Sequence, residues 1–470
     1  VETSAGFESP VEFDGRGGGV SAVRGGLVWF LDDPFTTGAH QNALRYVEDG
    51  MLICRDGVIA AAGEYREVRR ALPQQTRVVD YRGKLIAPGF VDAHVHSVQT
   101  PMIAARGRRL AEWLEQEVYP EELRSREPSH ARRVAELFCR ELLRNGTTTA
   151  LVNCASSPRS VHALFEASTR RGMRLAAGKV LMDRQAPQPL LDASPEQAYE
   201  QSKRLLETWH GVGRCMYAVT PRFAVACTPR MLEVAAALWR EHPGTLMQTH
   251  LAEDVDSVAQ VRRLYPKRKD YVDVYEHHGL LGPGAVFAHA VHVSKRELKR
   301  LRKTGSAIAH CPTSNLFLGT GLFSLRRARK RGVRVGLGTD VEAGTSLSLL
   351  HTTNEAFKVG QLDQYAMDGP RLLYLATAGG ARAMNLEGVI GSLAPGHEAD
   401  FVILDPAATP LLAARTTDKP IGDVLFALCL LGDDRAVLAT YVAGRLTHHR
   451  DQRESVAPLG LTADQEAIPC

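Results

Sequence analysis

Leu85-Ile86-Ala87-Pro88-Gly89-Phe90-Val91-Asp92-Ala93-His94-Val95-His96 is an apolar run that ends in two histidines two residues apart. Side chains alternate along a strand, so His94 and His96 share one face, where two imidazoles can hold one cation. An isolated His-x-His pair is weak evidence, because polar strand ends are common. This pair gains weight from following directly on a long apolar run. Seven further segments have strand character: 147–152, 174–180, 216–221, 245–250, 285–289, 306–310 and 334–340. Helical segments lie between them. Ser129 is positioned to cap a helix whose apolar face runs through Val134, Leu137 and Leu142 and which stops at Gly146. Ser194-Pro195 places Ser at an N-cap and Pro at the first helical position of another. Eight strands alternating with helices predict an α/β protein with a (β/α)8 barrel over residues 86–387. A doubly wound sheet is the competing arrangement, and periodicity does not separate the two.

Outside this region the pattern changes. Residues 27–30, 51–54, 58–61 and 77–81 are β-rich, with a hairpin turn at Asp56-Gly57. Residues 390–393, 399–404 and 436–442 resemble them, with a turn at Pro395-Gly396. The two ends, 25–85 and 388–450, read as pieces of one small antiparallel sheet structure. Residues 1–24 read as a flexible N-terminal segment and 451–470 as a C-terminal tail. The richest apolar stretch, 424–431, is too short to span a bilayer, which takes ~20 residues, and reads as a buried strand or short helix.

Composition narrows the function classes. Of 470 residues, 44% are hydrophobic and 23% charged, and 57 basic against 53 acidic side chains leave a formal charge of only +4. That balance gives no basic field for nucleic acid or an anionic membrane. Eight cysteines are scattered without a Cys-x-x-Cys pair; Cys154, Cys227 and Cys311 sit in apolar segments as small hydrophobes, and a reducing cytoplasm fits this usage.

The chemistry gathers at the C-terminal strand ends, where a barrel carries its active site. These ends bear His94 and His96, Thr220-Pro221-Arg222, His250, His289, His310 and Asp340. Three imidazoles and one carboxylate, from His94, His96, His250 and Asp340, suit a borderline divalent ion such as Zn²⁺, and imidazole also suits Fe²⁺. Such an ion acidifies a bound water toward neutrality. Asp340 can touch the metal and accept that water's proton. Glu253, three residues past His250, fits a proton shuttle, although a Glu opening a surface helix is the plain alternative. His289 ends the sixth strand within reach of the same site, and His292 reads as structural.

Pro88 to His96, His250-Leu251-Ala252-Glu253, Gly338-Thr339-Asp340 and Gly391-Ser392-Leu393-Ala394-Pro395-Gly396 together resemble the amidohydrolase superfamily. The resemblance covers nearly the whole chain after the first two dozen residues. It implies a metal-bearing barrel and a small β-sandwich made from both chain ends. Finer features resemble the guanine deaminases within that superfamily. They are Gln99, Leu110 to Leu114 with Tyr119-Pro120, Asn145 to Thr149, Gly178 to Asp183, Thr220-Pro221-Arg222-Phe223 and His310 to Gly319. By that resemblance Gln99 and Arg222 hydrogen-bond a purine and Phe223 lies against it, with His250 and Glu253 also at the substrate. Trp113 is placed in the core or at a subunit contact ahead of the substrate. Dinuclear relatives carry a bridging Lys on strand four; here Lys179 is on strand three, which implies one metal. The resemblance also implies a homodimer. The expected reaction is hydrolytic attack at C2 of guanine, with Glu253 protonating the adjacent ring nitrogen, His289 steadying the charge, Asp340 taking the water's proton, and xanthine and ammonia as products. The alternatives are another ring deaminase, a triazine-type hydrolase, or a non-catalytic scaffold on the same fold.

Overall fold

The computed structural model describes residues 20–36, 40–73, 76–106, 110–341 and 343–452. The expected flexible segment at 1–24 and tail at 451–470 lie largely outside these residues; where 1–24 is described, from Val20, it is already strand. The first strands are β1 (Val20–Phe30), β2 (Leu44–Arg55), β3 (Val58–Glu64) and β4 (Val78–Pro88). Then come β5 (Phe90–His96), β6 (Thr147–Asn153), β7 (Arg174–Gly178), β8 (Val180–Leu181) and β9 (Met216–Pro221). After them follow β10 (Leu246–Leu251), β11 (Ala285–His289), β12 (Ala307–His310) and β13 (Arg334–Leu337). The chain ends with β14 (Phe401–Leu404), β15 (Val437–Val442) and β16 (Arg445–His449).

Strands β5 to β13 form the predicted barrel. Neighbours pair in parallel in the order β5, β6, β7, β9, β10, β11, β12, β13, and the short β8 extends the edge of β9. The terminal strands form one seven-stranded sheet in the order β16-β15-β14-β4-β1-β2-β3, antiparallel except for the β1–β4 pair. This is the small β structure expected from the two chain ends, and strands of both ends pair within it. Its far regions curl together: Ile59 N donates to His397 O at 2.8 Å and Gly396 N to Ile59 O at 2.9 Å. The curl encloses Leu27, Trp29, Leu52, Ile86 and Phe401, the last stacked on Tyr441 with ring centroids 4.4 Å apart.

The run from Leu85 to His96, expected as one strand, is two. Leu85 to Pro88 pair antiparallel with β14, and the barrel begins at Phe90. Gly89 is the crossing point. Its N–H donates to Asp400 O at 2.9 Å while Phe90 N donates to Gly146 O at 2.9 Å, so one peptide changes partner sheets. A Cβ on Gly89 would lie 2.2 Å from Thr148 Oγ1, which leaves no room for a side chain. Ion pairs reinforce this junction: Arg174 Nε donates to Glu398 Oε2 at 2.8 Å and Arg214 Nη1 to Asp400 Oδ1 at 2.7 Å.

Two local expectations differ in outcome. Ser194 caps its helix, accepting from Gln197 N at 3.1 Å. Ser129 does not cap the helix Pro128–Arg144; Glu127 does, accepting from Ser129 N at 2.8 Å. Pro128 takes the first helical position, which makes the preceding residue the cap. Residues 424–431 resolve as part of the helix Ile421–Leu431. Among the described residues, no helix is long and apolar enough to cross a membrane.

Gly89→Ala is expected to destabilise the protein by about 1–3 kcal/mol through overpacking, read as a lower urea midpoint, and adding Thr148→Ala is expected to recover part of the loss.

Candidate active site

The barrel closes between its first and last strands at the residues that carry its chemistry. Asp340 N donates to His94 O at 2.9 Å, and His96 N donates to Val341 O at 2.9 Å. Strand β13 itself stops at Leu337, so these bonds come from the turn beyond it. Gly338 allows the approach: a Cβ there would lie 2.9 Å from His94 Cβ, His94 O and Cys311 Sγ. Asp92, fully buried within β5, clamps the seam. Its Oδ1 accepts from His94 N and Thr339 N, both at 3.1 Å, and its Oδ2 accepts from Thr339 Oγ1. Burial pushes the Asp92 carboxyl up to about 7, against those three hydrogen bonds.

Closure brings the expected ligands together. One ligand atom from each of His94, His96, His250 and Asp340 falls within 4.8 Å of the others. Asp340 Oδ1 lies 3.1 Å from His94 Nε2 and 3.3 Å from His96 Nε2. His250 Nε2 lies 3.3 Å from His96 Nε2. The other ring nitrogen of His250 donates to the Arg222 carbonyl at 2.7 Å, which leaves Nε2 with a bare lone pair. Burial, followed by the neighbouring imidazoles of His94 and His96, holds His250 well below the usual histidine range. A lone pair packed this closely against a second imidazole calls for a cation between them, and this donor set fits a divalent ion. Desolvation works against an ionised Asp340, but the His289 and His94 imidazoles overcome it and keep its carboxyl well below the ordinary value.

A second shell of polar groups faces the same volume. His289 Nε2 is 3.7 Å from both Glu253 Oε2 and Asp340 Oδ2. The Asn315 side-chain amide donates to His289 Nδ1 at 3.1 Å, so the ring proton sits on Nε2, facing the site. Burial lowers His289 to about 3 and keeps it neutral. Burial, then the Asp340 and Asp254 carboxylates, raise Glu253 well above the usual carboxylate range, which favours its protonated form. Two carboxyl groups in one site therefore differ in charge because their surroundings differ. Cys311 also approaches His289 and Asp340, but burial and the Asp340 and Asp92 charges hold its thiol protonated. Backbone strain marks the same strand ends: Ala252, His289 and Asp340 are left-handed, with φ of 45°, 68° and 50°.

Beside these groups is a small, partly open cavity. Arg222, Phe223, His250, Glu253, His289 and Asp340 line it, as expected, and so does Trp113, which was expected in the core or at a subunit contact. Trp113 does both, because it is also packed among Val118, Tyr119, Val180 and Met182. Gln99 is not on the wall. Its Nε2 donates to Glu122 Oε1 at 2.6 Å, and the same oxygen accepts from Arg222 Nη1 at 2.6 Å. Glu122 is fully buried, so Gln99 and Arg222 are tied together by a carboxylate that water does not reach. Lys179 pairs with Asp192 and is not in the ligand cluster. His292 bonds Thr320 O at 2.7 Å, a structural contact.

Asp92, Glu122 and Asn315 are the residues that reading the sequence missed. Asp92 left a signal, a charged residue inside an apolar strand. Glu122 left none, since Glu121-Glu122 after Pro120 reads as a solvated helix start.

The model of the Amidohydrolase family matches residues 85–447. Guanine deaminase of Escherichia coli strain K12 is 47% identical over 92% of this chain and 98% of its own. Its solved structure superposes with a TM-score of 0.89 over 92% of this chain and 100% of that one. A probable guanine deaminase of Deinococcus radiodurans is 40% identical over 90% of this chain and 98% of its own. The structure of guanine deaminase from C. acetobutylicum with bound guanine in the active site is 25% identical, with a TM-score of 0.81 over 91% of this chain and 100% of that one.

His250→Ala is expected to abolish stoichiometric metal in elemental analysis of the purified protein. Asp92→Asn, which changes the support of His94 and Thr339 without removing a ligand, is expected to weaken metal retention or kcat/KM about 10–100-fold; wild-type values for both would exclude the clamp.

Proposed function

Because the chain belongs to the amidohydrolase family, and within it to the guanine deaminases, we propose that it hydrolyses guanine to xanthine and ammonia with the residues of this cavity. The observation that carries the assignment of roles is the meeting, at one strand end, of a four-residue ligand set, the buried carboxyl of Glu253 and the Arg222-Phe223 wall. The metal is one Zn²⁺ per subunit, held by His94, His96, His250 and Asp340, since three imidazoles and a carboxylate suit that ion. When bound, it supplies an acidified water at neutral pH.

The protein's own groups divide the remaining work. Glu253, kept protonated by burial, gives its proton to the ring nitrogen next to C2, which makes that carbon electrophilic. Asp340, kept ionised, accepts the proton of the attacking water and passes it toward the departing amine. His289, with its N–H facing the site, stabilises the oxygen at the tetrahedral carbon. Arg222 is a donor without acceptor capacity, so it pairs with the carbonyl or N7 side of the base, while Phe223 covers a ring face. Gln99 acts with Arg222 through Glu122, whose shared oxygen fixes the direction of both.

The same reading places the enzyme in the cytoplasm as a homodimer. Seven described cysteines are free and buried, as a reducing compartment permits.

Purified protein is expected to convert guanine to xanthine with one ammonia released, and a metal chelator to stop it; a metal-replete sample inert toward guanine but active on another aminated ring would overturn the substrate assignment. Glu253→Gln is expected to lower kcat about 10²–10⁴-fold with metal still bound. Glu122→Gln is expected to raise KM for guanine severalfold or more at unchanged metal content, and an unaltered KM would remove Glu122 from substrate positioning.

A further inference from the structure

At the opposite end of the barrel from the metal ligands is a second, partly open cavity of about 730 Å³. Its position follows from strand direction. It reaches Ser306 and Arg334, where β12 and β13 begin, whereas His310 and Asp340 follow at their other ends. Six cationic side chains line it, Arg302, Arg326, Arg329, Lys330, Arg334 and Arg382, against the single carboxylate of Asp33.

That carboxylate is already spent. Asp33 is buried and paired with both Arg329 and Arg382, the latter at 3.2 Å. Arg326 and Arg334 reach acids only at the rim, Asp363 at 3.7 Å and Glu387 at 3.3 Å. Among the described residues, Arg302 and Lys330 have no acidic partner within 4.0 Å. The floor is rigid. The Arg329 guanidinium lies 4.7 Å from the Phe35 ring centre, and Phe35 stacks on Tyr365 at 6.4 Å. Arg329 Nε is buried without a hydrogen-bond partner.

Like charges gathered in a concavity repel, and the repulsion is relieved when an anion enters. A single phosphate engages two or three donors, whereas cations spread around this volume match several linked anionic groups. Guanidinium geometry favours phosphate oxygens, which accept two parallel N–H bonds. A concave site at one end of a barrel suits a compact chain rather than the long regular backbone of a nucleic acid. We propose that this cavity binds an oligophosphate chain, either that of a nucleotide or of inorganic polyphosphate, at a site separate from the catalytic cavity.

Calorimetric titration of the metal-loaded full chain with sodium tripolyphosphate and with ATP tests this. Saturable binding of one equivalent is expected, weakening as salt rises. Arg302→Glu/Lys330→Glu changes two exposed side chains outside the catalytic site. It is expected to lose at least tenfold in affinity while its guanine turnover, which reports an intact fold, stays at the wild-type level. Metal chelation by the probe affects both proteins alike and does not produce this difference. Tighter binding of ATP identifies a nucleotide as the source, and tighter binding of tripolyphosphate identifies the inorganic chain. Absence of saturable binding, or equal affinity of the active double variant and the wild type, overturns the proposal.

Discussion

The seam between β5 and the turn after β13 is the constraint on which the site depends. A barrel of parallel strands must join its first strand to its last, and here the joining bonds are made by the backbones of His94, His96, Asp340 and Val341. Fold closure and ligand assembly are therefore the same event. His94 and His96 are separated from Asp340 by some 245 residues of chain, yet their relative position is fixed by two hydrogen bonds and the Asp92 clamp. The left-handed backbone at Asp340 persists because both sides of that residue are pinned.

Burial then assigns protonation states. His289, Glu253 and Asp340 are buried at this strand end, and desolvation favours the neutral form of each. Histidines gain from this, since only a neutral imidazole offers a lone pair to a cation. Glu253 keeps its proton for the same reason. Asp340 is the exception, because three imidazoles surround it and outweigh its own desolvation. One acid and one base arise from a shared environment, differentiated by who stands next to whom.

The supporting shell works in the same manner at one remove. Asn315 sets the tautomer of His289, and the Arg222 carbonyl sets that of His250. The link through Arg222 is notable because its side chain faces the cavity while its backbone orients a ligand, so the substrate wall and the metal set share one residue. Glu122 extends that link to Gln99.

The sequence by itself determined the class of the fold and the ligand set. Apolar runs that end in His or Asp are local features, and their alternation with capped helices is readable without coordinates. It also carried Glu253 and His289, which sit at fixed short distances from those runs. It misplaced what depends on partners distant in the chain. Leu85 to His96 is one apolar stretch locally, and only the competing edges of β14 and β6 divide it at Gly89. Trp113 reads as core because its cavity wall is assembled from several loops. Gln99 was assigned to the substrate, but a carboxylate 23 residues later captures its amide. Glu122 was invisible for the same reason: a glutamate on a short helix looks solvated until the tertiary structure buries it. Periodicity encodes which face of a segment turns inward, and that is a short-range property. Which buried polar group meets which is decided by packing between segments, and only the folded chain specifies it.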